Sequence, residues 1–340
     1  MATLSDIAAS LALNKTTVSK ALNNSSDISR ETKERVLAEA ERIGYTKHLR
    51  KKALSNRSNL IGIICPEIVS YYYAQIVTSL SARLQQKGYD SVLMLSAFSP
   101  EMETRHLDQL VKQGVAGVII ITEQTNVSPA IRSVPGASNL PTIVMGLNYE
   151  SKEHDVVSVD EEYGLRSIAE HLLRQGHRRI AFLGDDFVGN RLKHLRNYLD
   201  LCGVEFPAKS IILSQKRNGE CGYECMKRLL SQPQLPTAVL TGYDTIALGA
   251  YRALTESGLR VPDDVALAGF DDADFCQFLP CSLTSVNCDI DAQCRVATAI
   301  LLGRMNESST QFTQTVAITP RLIVRESTSF RIPREITVEK

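Results

Sequence analysis

Seven apolar runs, LIGIICP, DSVLMLSA, GVAGVIIIT, RIAFLGD, SIILS, TAVLTG and DVALAGF, recur between residues 60 and 270. Stretches with helical periodicity lie among them, from about Tyr72 to Lys87, Glu103 to Gln113, Tyr163 to Arg174, Leu192 to Leu201, Gly222 to Leu230 and Thr245 to Ser257. A strand that is apolar along its whole length must be covered on both faces, so the alternation predicts parallel sheets flanked by helices. The pattern occurs twice, which implies two doubly wound α/β lobes.

A chain of 340 residues also exceeds one ordinary core, and its 44% hydrophobic content suits globular packing. Formal charge balances, 38 basic against 38 acidic, but the distribution does not: residues 45–57 contain Lys47, Arg50, Lys51, Lys52 and Arg57 and no acid. Such a run suits phosphate contact when a DNA-reading element lies beside it. The eight cysteines form no C-x-x-C pair and have no histidine at finger spacing, so they read as reduced thiols. Cys221 and Cys225, one helical turn apart, read as ordinary helix thiols. No metal or cofactor is expected. Catalytic signatures such as G-x-S-x-G, H-E-x-x-H, a P-loop or G-x-G-x-x-G are missing, so an enzyme is not expected. His171, His177 and His194 are expected at helix ends or surfaces. With no leader pattern and no run of about 18 apolar residues, a cytoplasmic protein is expected.

Residues 3–24, TLSDIAASLALNKTTVSKALNN, predict two short helices joined by a tight turn. Thr3 with Asp6 makes a capping box, and Ile7, Ala8 and Leu11 share a face. Asn14 caps a second helix, in which Val18, Ala21 and Leu22 face inward. A third helix starts after Ser29 and places Val36, Leu37, Ala40 and Ile43 on its inner side. Lys15, Thr16 and Lys20, outward near the start of the second helix, are expected to touch base edges, while Thr17 and Ser19 hold phosphates.

The segment from Thr3 to Tyr45 resembles the headpiece of the lac repressor and galactose repressor family, through its T-V-S-[RK]-A-L-N core and E-T-[RK]-E-[RK]-V-L third helix. Ala12, Leu13 and Asn14 stand where that family has Gly-Val-Ser. The resemblance continues through HLLRQGHRRIAFLGD, CGYECMKRLL, PTAVLTGYDTIALGAYRALTESGLRVPDDVALAGFDD, LPCSLTSV and PRLIVRES. It implies a headpiece at 1–46, a hinge at 47–59, a two-lobed periplasmic-binding-protein-like effector domain at 60–330 and a polar tail at 331–340. Lobe 1 would hold about 60–158 and 287–318, and lobe 2 about 159–286 and 319–330. In the hinge, Arg50, Lys51 and Lys52 would meet phosphates and Leu54 would enter the minor groove once the segment turns helical on DNA.

Ligands in open α/β sheets bind outside the carboxyl ends of the strands, which directs attention to the cleft between the lobes. Ser70, Tyr72 and Tyr73 follow the first strand; the tyrosines suit either stacking on a pyranose or base, or packing at a helix start. By the resemblance, Arg191 and Asp271 match effector-binding positions, and Tyr243 replaces the family's asparagine. Asp244 is expected to brace the helix start, Asp272 to serve as a ligand contact or as a capping or hinge group, and Asp160, at the first crossover, to be a structural residue or a further ligand candidate. The combined expectation is a homodimeric repressor that binds a twofold double-stranded operator under control of a sugar or sugar phosphate. The alternatives are a nucleoside or protein effector, or a solute-binding protein.

Overall fold

The computed structural model describes residues 3–22, 28–43, 58–124, 127–147, 151–306 and 312–329, and the chain divides into two compact units, Met1–Ser58 and Asn59–Lys340. In the first, helices α1 (Leu4–Leu11), α2 (Lys15–Leu22) and α3 (Arg30–Arg42) enclose Ile7, Ala8, Val18, Ala21, Val36 and Ala40. The Thr3 hydroxyl accepts from the Asp6 amide at 3.4 Å while the Asp6 carboxylate accepts from the Thr3 amide at 2.7 Å, the reciprocal pair that starts α1. Ala12 ends that helix in the left-handed region at φ 53°. A Cβ makes this conformation cost about 1–2 kcal/mol, which explains a glycine at the matching place in the family motif. Asn14 Oδ1 accepts from the Thr17 amide at 2.7 Å and starts α2. Ile43 packs at the edge of the core, and the side chain of Leu37 lies outside the described residues.

The second unit holds two parallel sheets. One contains β1 (Leu60–Cys65), β2 (Asp90–Leu95), β3 (Gly117–Thr122), β4 (Thr142–Leu147), β5 (Asp155–Val159) and, from far along the chain, β11 (Thr315–Ile318), in the order β11-β5-β4-β3-β1-β2. The other contains β6 (Ile180–Asp185), β7 (Ile211–Ser214), β8 (Ala238–Thr241) and β9 (Ala266–Ala268), in the order β7-β6-β8-β9. A two-stranded antiparallel pair, β10 (Ser285–Asn287) with β12 (Arg321–Ile323), lies where the chain passes between lobes.

Register explains the apolar runs. Ile61, Ile63, Ile119, Ile143 and Val157 pack on one face of the first sheet, while Ile64, Val118, Ile120, Val144 and Val156 pack on the other. The first face is covered by α4 (Tyr71–Gln86) and α11 (Ile290–Asn306), the second by α5 (Pro100–Gln113) and α6 (Ser128–Ser133). Along the central strands neither face meets water, so neither needs polar residues there, whereas the edge strands β2 and β11 are partly exposed. The second sheet is flanked by α7 (Glu161–Arg174), α8 (Gly189–Leu201), α9 (Asn218–Leu230) and α10 (Asp244–Glu256). Helices α9 and α10 meet backbone to backbone: a Cβ on Gly222 would lie 1.8 Å from the Ile246 carbonyl oxygen, and one on Gly249 would lie 1.9 Å from that of Gly219. Only glycine fits at such an approach.

The chain crosses between lobes after β5, after β10 and after β11. Asp160 caps α7 through the Tyr163 amide at 2.9 Å. Asp272 pairs with Arg325 at 2.7 Å and accepts from Asn287 Nδ2 at 2.8 Å, tying two crossings together. His171 lies at a helix end as expected, in the last turn of α7, half-buried with Nε2 2.7 Å from Thr328 Oγ1, whereas His177, expected at a helix end or surface, is buried, its Nδ1 3.0 Å from Thr237 Oγ1. His171 meets the returning C-terminal segment at Thr328, while His177, beyond the end of α7, meets Thr237 at the approach to β8. Among the described residues, no helix is long and apolar enough to cross a membrane.

Candidate effector cleft and nucleic-acid interface

On α2, Lys15, Thr16 and Lys20 are exposed, whereas Thr17 and Ser19 are half-buried. Burial of Val18 and Ala21 fixes this orientation, because residues one helical turn apart share a face. Arg50, Lys51, Lys52 and Leu54 lie outside the described residues.

Between the lobes, Ser70, Tyr72, Tyr73, Arg191, Tyr243 and Asp271 line one cavity, together with Glu123, Phe187, Val188 and Arg217. Ser70 precedes α4, Glu123 follows β3, Arg217 follows β7, Tyr243 follows β8 and Asp271 follows β9, so the carboxyl ends of strands from both sheets supply the wall. Sequence reasoning missed Glu123 and Arg217, although that same rule, applied to every strand, reaches both.

The tyrosine question resolves differently for the two rings. Tyr73 is buried in the core of lobe 1, and its hydroxyl donates to Glu123. Tyr72 is half-buried, edge-on to Tyr73 at 5.5 Å, and donates to Gln293 Oε1 at 3.1 Å. Tyr243 donates to Asp185 Oδ2 at 2.6 Å and accepts from the Asn218 amide at 3.2 Å. Asp244 braces its surroundings, accepting from the Ala273 amide and the Ser285 hydroxyl, each at 2.7 Å. The buried Ser70 hydroxyl has no hydrogen-bond partner among the described residues.

Arg191 is buried, and its guanidinium is engaged on every side. Nε donates to Glu161 at 2.5 Å, Nη1 to the Gly242 carbonyl at 2.7 Å, and Nη2 lies 3.3 Å from Asp271, with the Phe270 ring 4.0 Å from its centre. Burial works against the charge, but Glu161 and Asp271 outweigh it and keep Arg191 protonated. Desolvation pushes the Asp271 carboxyl up to about 6 despite Arg191, and pushes Glu123 up to about 7 despite its bond from Tyr73. Arg191 is thus a buttress of the cleft wall as well as a lining residue.

Arg217 bridges the lobes. It reaches Glu67 of lobe 1 at 2.9 Å and Asp185 of lobe 2 at 3.3 Å, and lies 4.5 Å from the Phe98 ring and 4.8 Å from the Phe187 ring. Phe98 and Phe187, from opposite lobes, approach to 4.2 Å. Left-handed backbone gathers here, at Phe98 (φ 62°), Asp271 (φ 102°) and Asp272 (φ 54°), as it does where a site imposes its geometry. About 40 Å³ of free space remains between the lobes, well below the roughly 300 Å³ or more of typical ligand pockets.

A larger hollow of about 330 Å³ lies at the opposite edge of the lobe 2 sheet, lined by Arg178, Arg179 and Lys209. There Arg178 donates to the Leu173 carbonyl at 2.8 Å and Arg179 to that of Leu235 at 3.4 Å. Arg178 and Arg179 thus answer carbonyls at a helix end and in a loop. No group of acidic, histidine or cysteine side chains suited to a metal occurs among the described residues.

Comparison with known proteins agrees with this architecture. Residues 3–48 match the model of bacterial regulatory proteins of the lacI family, and residues 169–328 match a periplasmic-binding-protein-like domain. The chain is 32% identical over 338 residues to the HTH-type transcriptional repressor PurR of Haemophilus influenzae (strain PittEE), covering 96% of this chain and 98% of that one. It is similar to a solved complex of the transcriptional regulator CelR with cellobiose (TM-score 0.70, 26% identity, 96% of this chain and 100% of that one). It is also similar to the lac repressor dimer bound to operator and the anti-inducer ONPF (TM-score 0.72, 25% identity, 96% and 99%). The chain belongs to the lacI family of bacterial regulatory proteins, DNA-binding transcriptional regulators that join a helix-turn-helix to a two-lobed effector domain.

Proposed function

We propose that this protein is a homodimeric repressor that reads a twofold operator through Lys15, Thr16 and Lys20 and releases or grips it according to a sugar held between the lobes. The observation that carries the reading is the convergence of hydroxyl-binding groups, Ser70, Glu123, Asp271 and the Tyr72 ring, on one interlobe cavity. Carboxylates accept from sugar hydroxyls, and an aromatic ring covers the apolar face of a pyranose. The similarity to a cellobiose-bound regulator and to an operator-bound dimer supports the same reading. Exposed Val69 on lobe 1 and Leu248 and Phe278 on lobe 2 are apolar surface suited to a partner copy. Thr17 and Ser19, with Arg50, Lys51 and Lys52, would hold phosphates, and Leu54 would wedge the minor groove.

DNA selected by the purified protein from a random pool tests the first half. Lys20→Ala should relax base preference, losing about 1–3 kcal/mol on the matching base pair while leaving nonspecific binding nearly unchanged. An unaltered selected site with unaltered affinity would place the reading side chains elsewhere.

A further inference from the structure

The charges around the cleft narrow the ligand further than its shape does. Five carboxylates, Glu67, Glu123, Glu161, Asp185 and Asp271, surround the two arginines. Arg191 is taken by Glu161 and Asp271, and Arg217 by Glu67 and Asp185. Each guanidinium thus already faces two carboxylates, Arg217 meeting Glu67 as an ion pair without a hydrogen bond. Glu123 accepts from the Tyr73 hydroxyl, feels Glu161, Arg191 and Arg217 at longer range, and lines the cavity. Behind the cleft, at the crossings between lobes, a second hollow of about 310 Å³ is lined by Asp271, Asp272, Asp274, Asp289 and Asp291. A cleft lined by one sign of charge in low-dielectric surroundings focuses its field on whatever enters. A phosphate would have to displace a carboxylate from an arginine and leave that carboxylate buried without its partner.

We infer that the cleft selects an uncharged polyhydroxyl ligand and rejects the phosphorylated counterpart, with Glu123 as the residue that enforces the choice. This rests on the interlobe cavity being the effector site. It removes the sugar phosphates from the effector classes that the sequence leaves open, which also include sugars, nucleosides and a protein partner. Glu123 receives a sugar hydroxyl as an acceptor, and its field opposes any acidic substituent placed nearby. The unpartnered Ser70 hydroxyl supplies a second, neutral contact from the same lobe.

Calorimetry of the full chain at about pH 8, where carboxylates of this kind are ionised, tests the inference with ribose, glucose, galactose and cellobiose, each beside its phosphate monoester. The sugar that binds should do so about 100-fold or more tightly than its ester, and Glu123→Gln should narrow that gap by about tenfold. Operator binding without sugar serves as the check that the variant is folded. An ester that binds as tightly as its parent sugar, or a gap that Glu123→Gln leaves unchanged, overturns the inference while leaving the cleft as the effector site. If no compound of either kind binds, the sugar reading itself fails and takes this inference with it.

Discussion

Arg191→Met should destabilise the effector domain by about 3–5 kcal/mol, an effect large enough to remove operator control by unfolding rather than by loss of a ligand contact. Glu161 and Asp271 both depend on this guanidinium, and all three side chains are almost wholly withdrawn from water. Removing the cation leaves two carboxylates buried side by side, and the Gly242 carbonyl loses its donor. Urea unfolding of the effector domain measures the loss. A change below about 1 kcal/mol would mean that water enters freely and that the pair is not buried in solution. Asp271→Asn, which keeps shape and removes charge, is the better probe of ligand contact.

The second large effect concerns pH. The folded chain holds the Glu123 proton up to about 7, because burial disfavours its charge, whereas the ordinary value is 4.5. The folded state therefore binds more protons between these values, and stability present at low pH is lost as pH rises through about 7. The difference corresponds to about 3 kcal/mol. Tyr73, Glu161, Arg191 and Arg217 share its surroundings and enter the balance in wild type and variant alike. Glu123→Gln should match the wild type more closely at about pH 5 and exceed it in stability at about pH 8. Parallel pH profiles for the two proteins would show that Glu123 is solvated.

Much of the architecture was legible because the physics that sets it is local or periodic. The capping box of Thr3 and Asp6 and the Asn14 cap appear where residue type and spacing place them. The apolar strands announced a sheet covered on both faces. TIVMGL and DVVSV do not stand out as strands by periodicity alone; their place as β4 and β5 comes from pairing with each other, with β3 and with distant β11. The cleft was legible as a list of positions, since strand ends point to it, but not as a network. Nothing near Arg191 in sequence announces Glu161, thirty residues away, as its partner. Nor does the chain signal that Arg217 reaches Glu67 across the lobes, because that contact depends on how the two sheets face each other.

Operator affinity measured with and without the sugar panel addresses the central claim, that the cleft and the DNA-reading helix are two ends of one linked equilibrium. A sugar that binds the cleft should change affinity for the selected operator by roughly 5-fold to 150-fold, and operator should change sugar affinity by the same factor. A sugar that binds while operator affinity stays constant would contradict the account, because a ligand equally at home in both conformations shifts neither.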